Sequence, residues 1–200
     1  MHASKSIMLR IAVRLLMGQA LLIFLASDAL WSQNLLKHGG FNIPATGVPP
    51  GMIVSVNGCN QPGSSAAANW FVYINGCGEV TTTLVPSTDP NGKAYMMHVT
   101  ASVENAGIDQ SGTFNVASTL TWVSVYINNG CVKMGTGNGG STGLDEATCE
   151  TGRWFHFARV PNGNSPANEI VIYAFMGPAD FYVEKAVVEA SAAQPVGPAQ

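Results

Sequence analysis

Four cysteines carry the plainest chemistry in this 200-residue sequence: Cys59, Cys77, Cys131 and Cys149. An even number of thiols in an exported chain reads as a pair of disulfides. Three pairings exist. The equal spacing of 18 residues within Cys59/Cys77 and within Cys131/Cys149 favours two local bridges, Cys59 with Cys77 and Cys131 with Cys149. Each would stabilise the fold by about 3 kcal/mol in a chain-entropy account. Zinc ligation is the competing chemistry. It needs close ligand pairs such as Cys-x-x-Cys; no such pair occurs, and His2, His38, His98 and His156 are dispersed. The segments ending Asn75-Gly76-Cys77 and Asn129-Gly130-Cys131 resemble each other, as does Asn57-Gly58-Cys59. Asn-Gly readily takes the positive φ of a tight turn, so each reads as an apolar strand running into a stapled turn.

The next candidates are aromatic. Trp70, Tyr73, Trp122, Tyr126, Trp154 and Tyr173 fall on apolar stretches of strand-like pattern, where a ring serves either the core or a flat ligand. Trp122 and Tyr126 form the strongest pair. They share a strand face with Ser124, while Val123, Val125 and Ile127 make the opposite face the better core material. Gln110 is a polar companion, and Trp70 a further ligand-contact candidate. Catalytic patterns are poor. Gly135-Thr136-Gly137-Asn138-Gly139-Gly140 fits G-x-G-x-x-G, but that motif binds dinucleotides only between a strand and a helix; inside a disulfide loop it is a glycine-rich connection. Asp145-Glu146 is an adjacent pair of acids of the solvated-loop kind. His156 and Arg159 read as a solvated or locally paired set.

The elements that must position these residues are strands. Alternating or apolar runs at 35–41, 52–56, 70–74, 80–85, 94–102, 112–116, 120–127, 154–160, 169–175 and 181–188 are separated by Gly, Pro and Asn clusters at 44–51, 60–66, 86–92, 135–143 and 161–166. Charged residues make up only 10% of the chain and glycine numbers 22, which suits short strands and many turns rather than helices with wet faces. Ten short strands and no convincing helix predict an all-β, two-sheet antiparallel β-sandwich of jelly-roll type.

Lys5, Arg10 and Arg14 precede the apolar stretch 15–26, and small residues follow. That order is the layout of a secretory signal peptide, which predicts residues 1–29 as signal, 30–189 as the sandwich and the Ala/Pro/Gln-rich 190–200 as a disordered tail. The apolar run is short for a bilayer span. Nine basic residues less Lys5, Arg10 and Arg14 leave six, and twelve acids less Asp28 leave eleven, so the trimmed chain carries −5. Six scattered cations do not make the footprint that phosphate backbones require, which argues against nucleic acid and anionic membrane surfaces as partners.

Three segments carry a family likeness. Asn34-Leu35-Leu36-Lys37-His38-Gly39-Gly40-Phe41-Asn42 is similar to the opening strand of carbohydrate-binding modules in the galactose-binding-like jelly-roll superfamily, which often begin Asn-Leu-Leu and continue Asn-Gly-Gly-Phe-Glu. Gly152-Arg153-Trp154-Phe155-His156-Phe157 resembles their late Gly-x-Trp-x-x-Phe strand. Phe181-Tyr182-Val183-Glu184-Lys185-Ala186-Val187 resembles their closing strand. A fainter match is Ile108-Asp109-Gln110 followed by residues 119–127. The resemblance implies neighbouring first and last strands and non-catalytic glycan binding. It also implies a structural calcium near those strands, with Asn42 and Glu184 as its ligands. Asn42 stands where Glu is common, and Glu184-Lys185 replaces Asp-Asp, which weakens a site that needs several hard oxygen ligands.

The sequence therefore predicts a secreted, cell-surface or periplasmic module that binds a glycan or polysaccharide through Trp122, Tyr126, Gln110 and Trp70. The alternatives are a structural or adhesive subunit that self-associates or meets a surface partner and, behind it, a jelly-roll glycoside hydrolase or lyase.

Overall fold

The computed structural model describes residues 34–88, 94–116, 119–136, 146–159 and 167–190. The expected signal segment, the glycine-rich run from Gly137, Asp145, the 161–166 connection and the tail beyond Ala190 lie outside the described residues.

Twelve strands are described: β1 (Val54–Cys59), β2 (Gly63–Ser64), β3 (Phe71–Ile74), β4 (Cys77–Pro86), β5 (Tyr95–Ala101), β6 (Ala106–Val116), β7 (Thr119–Asn129), β8 (Val132–Thr136), β9 (Glu146–Thr148), β10 (Trp154–Arg159), β11 (Ala167–Ala174) and β12 (Ala179–Ala190). They form two six-stranded sheets, ordered β1-β4-β5-β12-β7-β10 and β2-β3-β6-β11-β8-β9, and the pairings are antiparallel. The chain is thus a β-sandwich of jelly-roll type.

Alternation decides which side chains meet between the sheets. On β7, Val123, Val125 and Ile127 are fully buried while Trp122 and Tyr126 are half-buried on the other face. Phe181 and Val183 on β12, Leu84 on β4 and Met97 on β5 complete the first sheet's inner face; Ile108, Ile170, Ile172 and Met134 face them from the second. Leu84→Ala or a like truncation there would cost about 2–5 kcal/mol.

Both disulfides join neighbouring strand ends. Cys59 and Cys77 are register partners on β1 and β4, and their sulfurs are bonded. Cys131 is bonded to Cys149, flanking the Val132↔Thr148 pair of β8 and β9. Each staple closes the end of an antiparallel pair where fraying would otherwise begin. The Asn-Gly turns before Cys77 and Cys131 have glycine φ values of 116° at Gly76 and 83° at Gly130, whereas Gly58 stays within β1.

Residues 35–41, expected as the first strand, are mostly turn. Only Asn34 makes a bridge, to Glu189, and His38 and Phe41 take φ values of 55° and 53°. The segment nevertheless lies beside the last strand. Asn34 donates through Nδ2 to Ala186 O and accepts from Val188 N; Leu35 N donates to Val188 O, and Ala186 N to Gly39 O. The left-handed turn falls on His38 and Phe41, while Gly39 lets the segment press against β12, where a Cβ would collide with Ala186 O; Phe41 then drops into the core rather than prolonging a ladder. Three short strands, β2, β8 and β9, were not expected.

Candidate functional site

The outer face of the first sheet carries a row of rings built by register alone. Trp154 pairs with Tyr126, Tyr126 with Tyr182, Tyr182 with His98, and His98 with Thr83. Five strands, β10, β7, β12, β5 and β4, thus each contribute one outward residue to a line crossing them. The rings touch in sequence. Tyr126 meets Trp154 edge-on at 5.7 Å between centroids and Tyr182 at 6.2 Å, and Tyr182 stacks on His98 at 4.4 Å with 13° between planes. Each such contact is worth about 0.5–1.5 kcal/mol, so the rings hold one another in place while staying half-exposed.

His98 is fixed from behind. Its Nε2 lies 2.7 Å from Asp180 Oδ1, and Asp180 Oδ2 accepts from Asn128 Nδ2 at 3.2 Å. These bonds hold the imidazole plane against Tyr182. A cleft of about 430 Å³ opens beside the row, lined by Val85, Pro86, Thr88, Met96, Tyr126, Trp154 and Tyr182. One wall is the segment after β4, which is tied down by a hydrogen bond from Ser87 Oγ to Glu184 Oε1. Glu184 sits at a bulge of β12, between Val183 and Lys185, and is almost fully buried. The cleft is largely apolar, with hydroxyls at its edge, a surface suited to a flat, partly apolar and many-hydroxyl ligand.

The structure brings together some of the expected residues and removes others. Tyr126 is in the row, between Trp154 and Tyr182. Trp122 lies on the same face but two steps away along the sheet, with its ring under Lys185 Nζ (4.7 Å) and tilted toward His156 at 6.4 Å. Trp70, expected to contact ligand, is 1% exposed: it packs on Phe41 at 4.8 Å, and its Nε1 donates to His38 O. Its apolar area completes the core instead. Gln110, the expected polar companion, is wholly buried. Its side chain accepts from Lys37 N at 2.7 Å and donates to Lys37 O at 2.9 Å, pinning the 35–41 turn. It lies on the inner face of the second sheet, away from the row.

The two residues implied as calcium ligands lie in different surroundings. Asn42 is exposed just after Phe41, whereas Glu184 is almost fully buried and engaged by Ser87. Among the described residues no group of three or more His, Cys, Asp or Glu side chains could hold a metal. Glu146 is a β9 residue whose carboxylate accepts from Ala158 N at 2.7 Å, a structural role. No described helix is long and apolar enough to cross a membrane.

Tyr182 and His98, members of the ring row, were not among the residues expected from the sequence. A signal for Tyr182 existed: Phe181 and Val183 flank it as core residues, which turns its ring outward. His98 had none, since its role comes from stacking across strands.

No family model matches the sequence, and no curated protein matches it. Solved structures do resemble the sandwich. The enzymatically active domain of bacteriophage CBA120 tailspike protein 4 is 9% identical, with a TM-score of 0.48; the match covers 78% of this chain and 21% of that one. The family 11 carbohydrate-binding module of a Clostridium thermocellum cellulosomal cellulase is 10% identical, with a TM-score of 0.45 and coverages of 70% and 96%. A xylan-binding domain of family 22 from Paenibacillus barcinonensis is 12% identical, with a TM-score of 0.43 and coverages of 72% and 98%. These are likenesses of sheet arrangement.

Proposed function

We propose that the protein is an exported, non-catalytic glycan-binding module, with residues 1–29 as its signal, whose ligand lies on the outer face of the first sheet across Trp154, Tyr126 and Tyr182. The observation that carries this reading is the row itself. Three half-exposed rings from three strands are fixed by mutual contacts beside an open cleft, an arrangement that costs little entropy to bind a flat ring. Stapled strand ends suit an oxidising compartment.

Affinity electrophoresis of the full chain against soluble β-glucans, xylans, mannans and pectins tests the reading. Retardation by at least one polysaccharide, lost in Tyr126→Ala and Trp154→Ala, is the expected result. Retardation by none, or retardation indifferent to both substitutions, would remove it.

A second reading, a structural or adhesive subunit, draws on one observation. Met52 and Ile53 are 47% and 67% exposed and lead into β1, an edge of the first sheet. Edge strands with apolar surroundings invite pairing with another chain. Concentration-dependent mass by light scattering, abolished by Ile53→Lys, would favour it; a strictly monomeric chain would count against it.

A further inference from the structure

One register step from the aromatic row lies a second, polar row that glycan stacking alone does not use. Lys185 on β12 pairs with Ser124 on β7, and Ser124 pairs with His156 on β10. Ser124 is only 6% exposed, and its Oγ lies 3.0 Å from His156 Nδ1. Lys185 is exposed, with its Nζ held 4.7 Å above the Trp122 ring. Among the described residues no carboxylate forms an ion pair with Lys185; the adjoining Glu184 is engaged by Ser87 instead.

The Ser124–His156 pair leaves one hydrogen-bond donor uncommitted in either tautomer, and the His156 end of the pair is exposed. If the hydroxyl donates to Nδ1, the proton of the neutral ring sits on Nε2 and points away from Ser124. If Nδ1–H donates to the hydroxyl, the serine proton is free to turn outward. The row therefore joins a cation without a carboxylate partner to a donor pair, on a chain whose formal charge is −3.

Resting on the glycan reading above, we propose that the preferred glycan is anionic. Its sugar ring stacks on Tyr126 and Trp154 while a uronate carboxylate or sulfate ester meets Lys185, Ser124 and His156. Spacing supports this. Ser124 is two residues from Tyr126 on one strand, and His156 two from Trp154 on the next, so each ring has a polar neighbour about 7 Å along its strand. A substituent reaching sideways from a stacked sugar, plus a charge-assisted hydrogen bond of about 2.8 Å, spans that gap. The competing role for Lys185 is simple cover for the Trp122 ring.

The test is calorimetric titration of the full chain with matched pairs: polyuronates against their carboxyl-reduced forms, and sulfated galactan against its desulfated form. Preference by about tenfold or more for the anionic member of one pair, falling with added salt and brought to within about twofold by Lys185→Gln, is the expected result. Which pair discriminates tells carboxylate from sulfate. Lys185 is exposed, so the variant should keep the wild-type circular dichroism. Equal affinity for both members of every pair, or a preference that survives Lys185→Gln, overturns the inference and leaves lysine as cover. If Tyr126→Ala and Trp154→Ala still abolish binding of the neutral members in that case, only the charge inference has failed; if they change nothing, the glycan reading has failed with it.

Discussion

On the outer face of the first sheet, Tyr182, Tyr126 and Trp154 stand one per strand and remain half-exposed beside a cleft. On the outer face of the second sheet, Tyr73 and Tyr173 face each other across Gly107, with which both are in register, at 6.0 Å between ring centroids; Tyr173 keeps only 8% of its surface. The glycine decides the difference. A Cβ at position 107 would collide with the carbonyl oxygen of Ile172, so β6 and β11 approach closely only because that side chain is missing. The two tyrosines then close over the gap. Nearby, Asp109 is pushed up to about 6, first by burial and then by the charge of Glu169. On the second face Tyr73 and Tyr173 thus meet over closely packed backbone, while on the first Tyr182, Tyr126 and Trp154 line an open cleft.

The largest expected effect strikes the covered face. Gly107→Ala should cost about 3 kcal/mol or more, since the clash is with backbone that cannot rotate away; urea titration would show it, and a change under 1 kcal/mol would deny that Gly107 sets the strand approach. Next comes the open face. Removing either Tyr126 or Trp154 should weaken glycan binding at least about 30-fold, as for a central aromatic anchor, whereas Phe71→Ala on the second face should alter it less than about twofold.

The third prediction concerns pH. An acid whose folded-state pKa is raised holds its proton more tightly when folded. The stabilisation is complete below the unfolded value of 3.8 and is lost as pH rises through about 6. Asp109→Asn should therefore raise stability at pH 7 by on the order of 2 kcal/mol, and the gain should vanish below pH 4. Chemical denaturation of both proteins at pH 3.5 and 7 checks this; a gain that is the same at both would reject the assigned cause. The smallest effect belongs to Trp122→Ala. Two register steps from the row and under Lys185, Trp122 should change neutral-glycan affinity less than about threefold, compared by the same titrations.

Much of this architecture was legible because it is local. The alternation from Trp122 to Ile127 assigned its core and outer faces, and equal cysteine spacing indicated the pairing that the strand ends make. What escaped was non-local. Trp70 and Gln110 carry the residue types of a binding site, but burial is decided by what arrives from elsewhere: Phe41 on one, and the Lys37 backbone on the other. The row of Trp154, Tyr126, Tyr182 and His98 depends on register among strands distant in sequence, which no single segment encodes. Short strands such as Gly63–Ser64 and Glu146–Thr148 carry too few residues to show a period. The 35–41 segment had an apolar start, but left-handed turns at His38 and Phe41 and the close approach of Gly39 to β12 took it out of the ladder.

The most direct measurement is a chemical-shift titration of the full chain, with aromatic and backbone resonances assigned, against the oligosaccharide of whichever polysaccharide retards it. The account predicts saturable shifts concentrated at Trp154, Tyr126, Tyr182 and the Pro86–Thr88 wall, with Phe71, Tyr73 and Tyr173 still. Shifts centred on the second sheet's outer face, or none at saturating sugar, would contradict it.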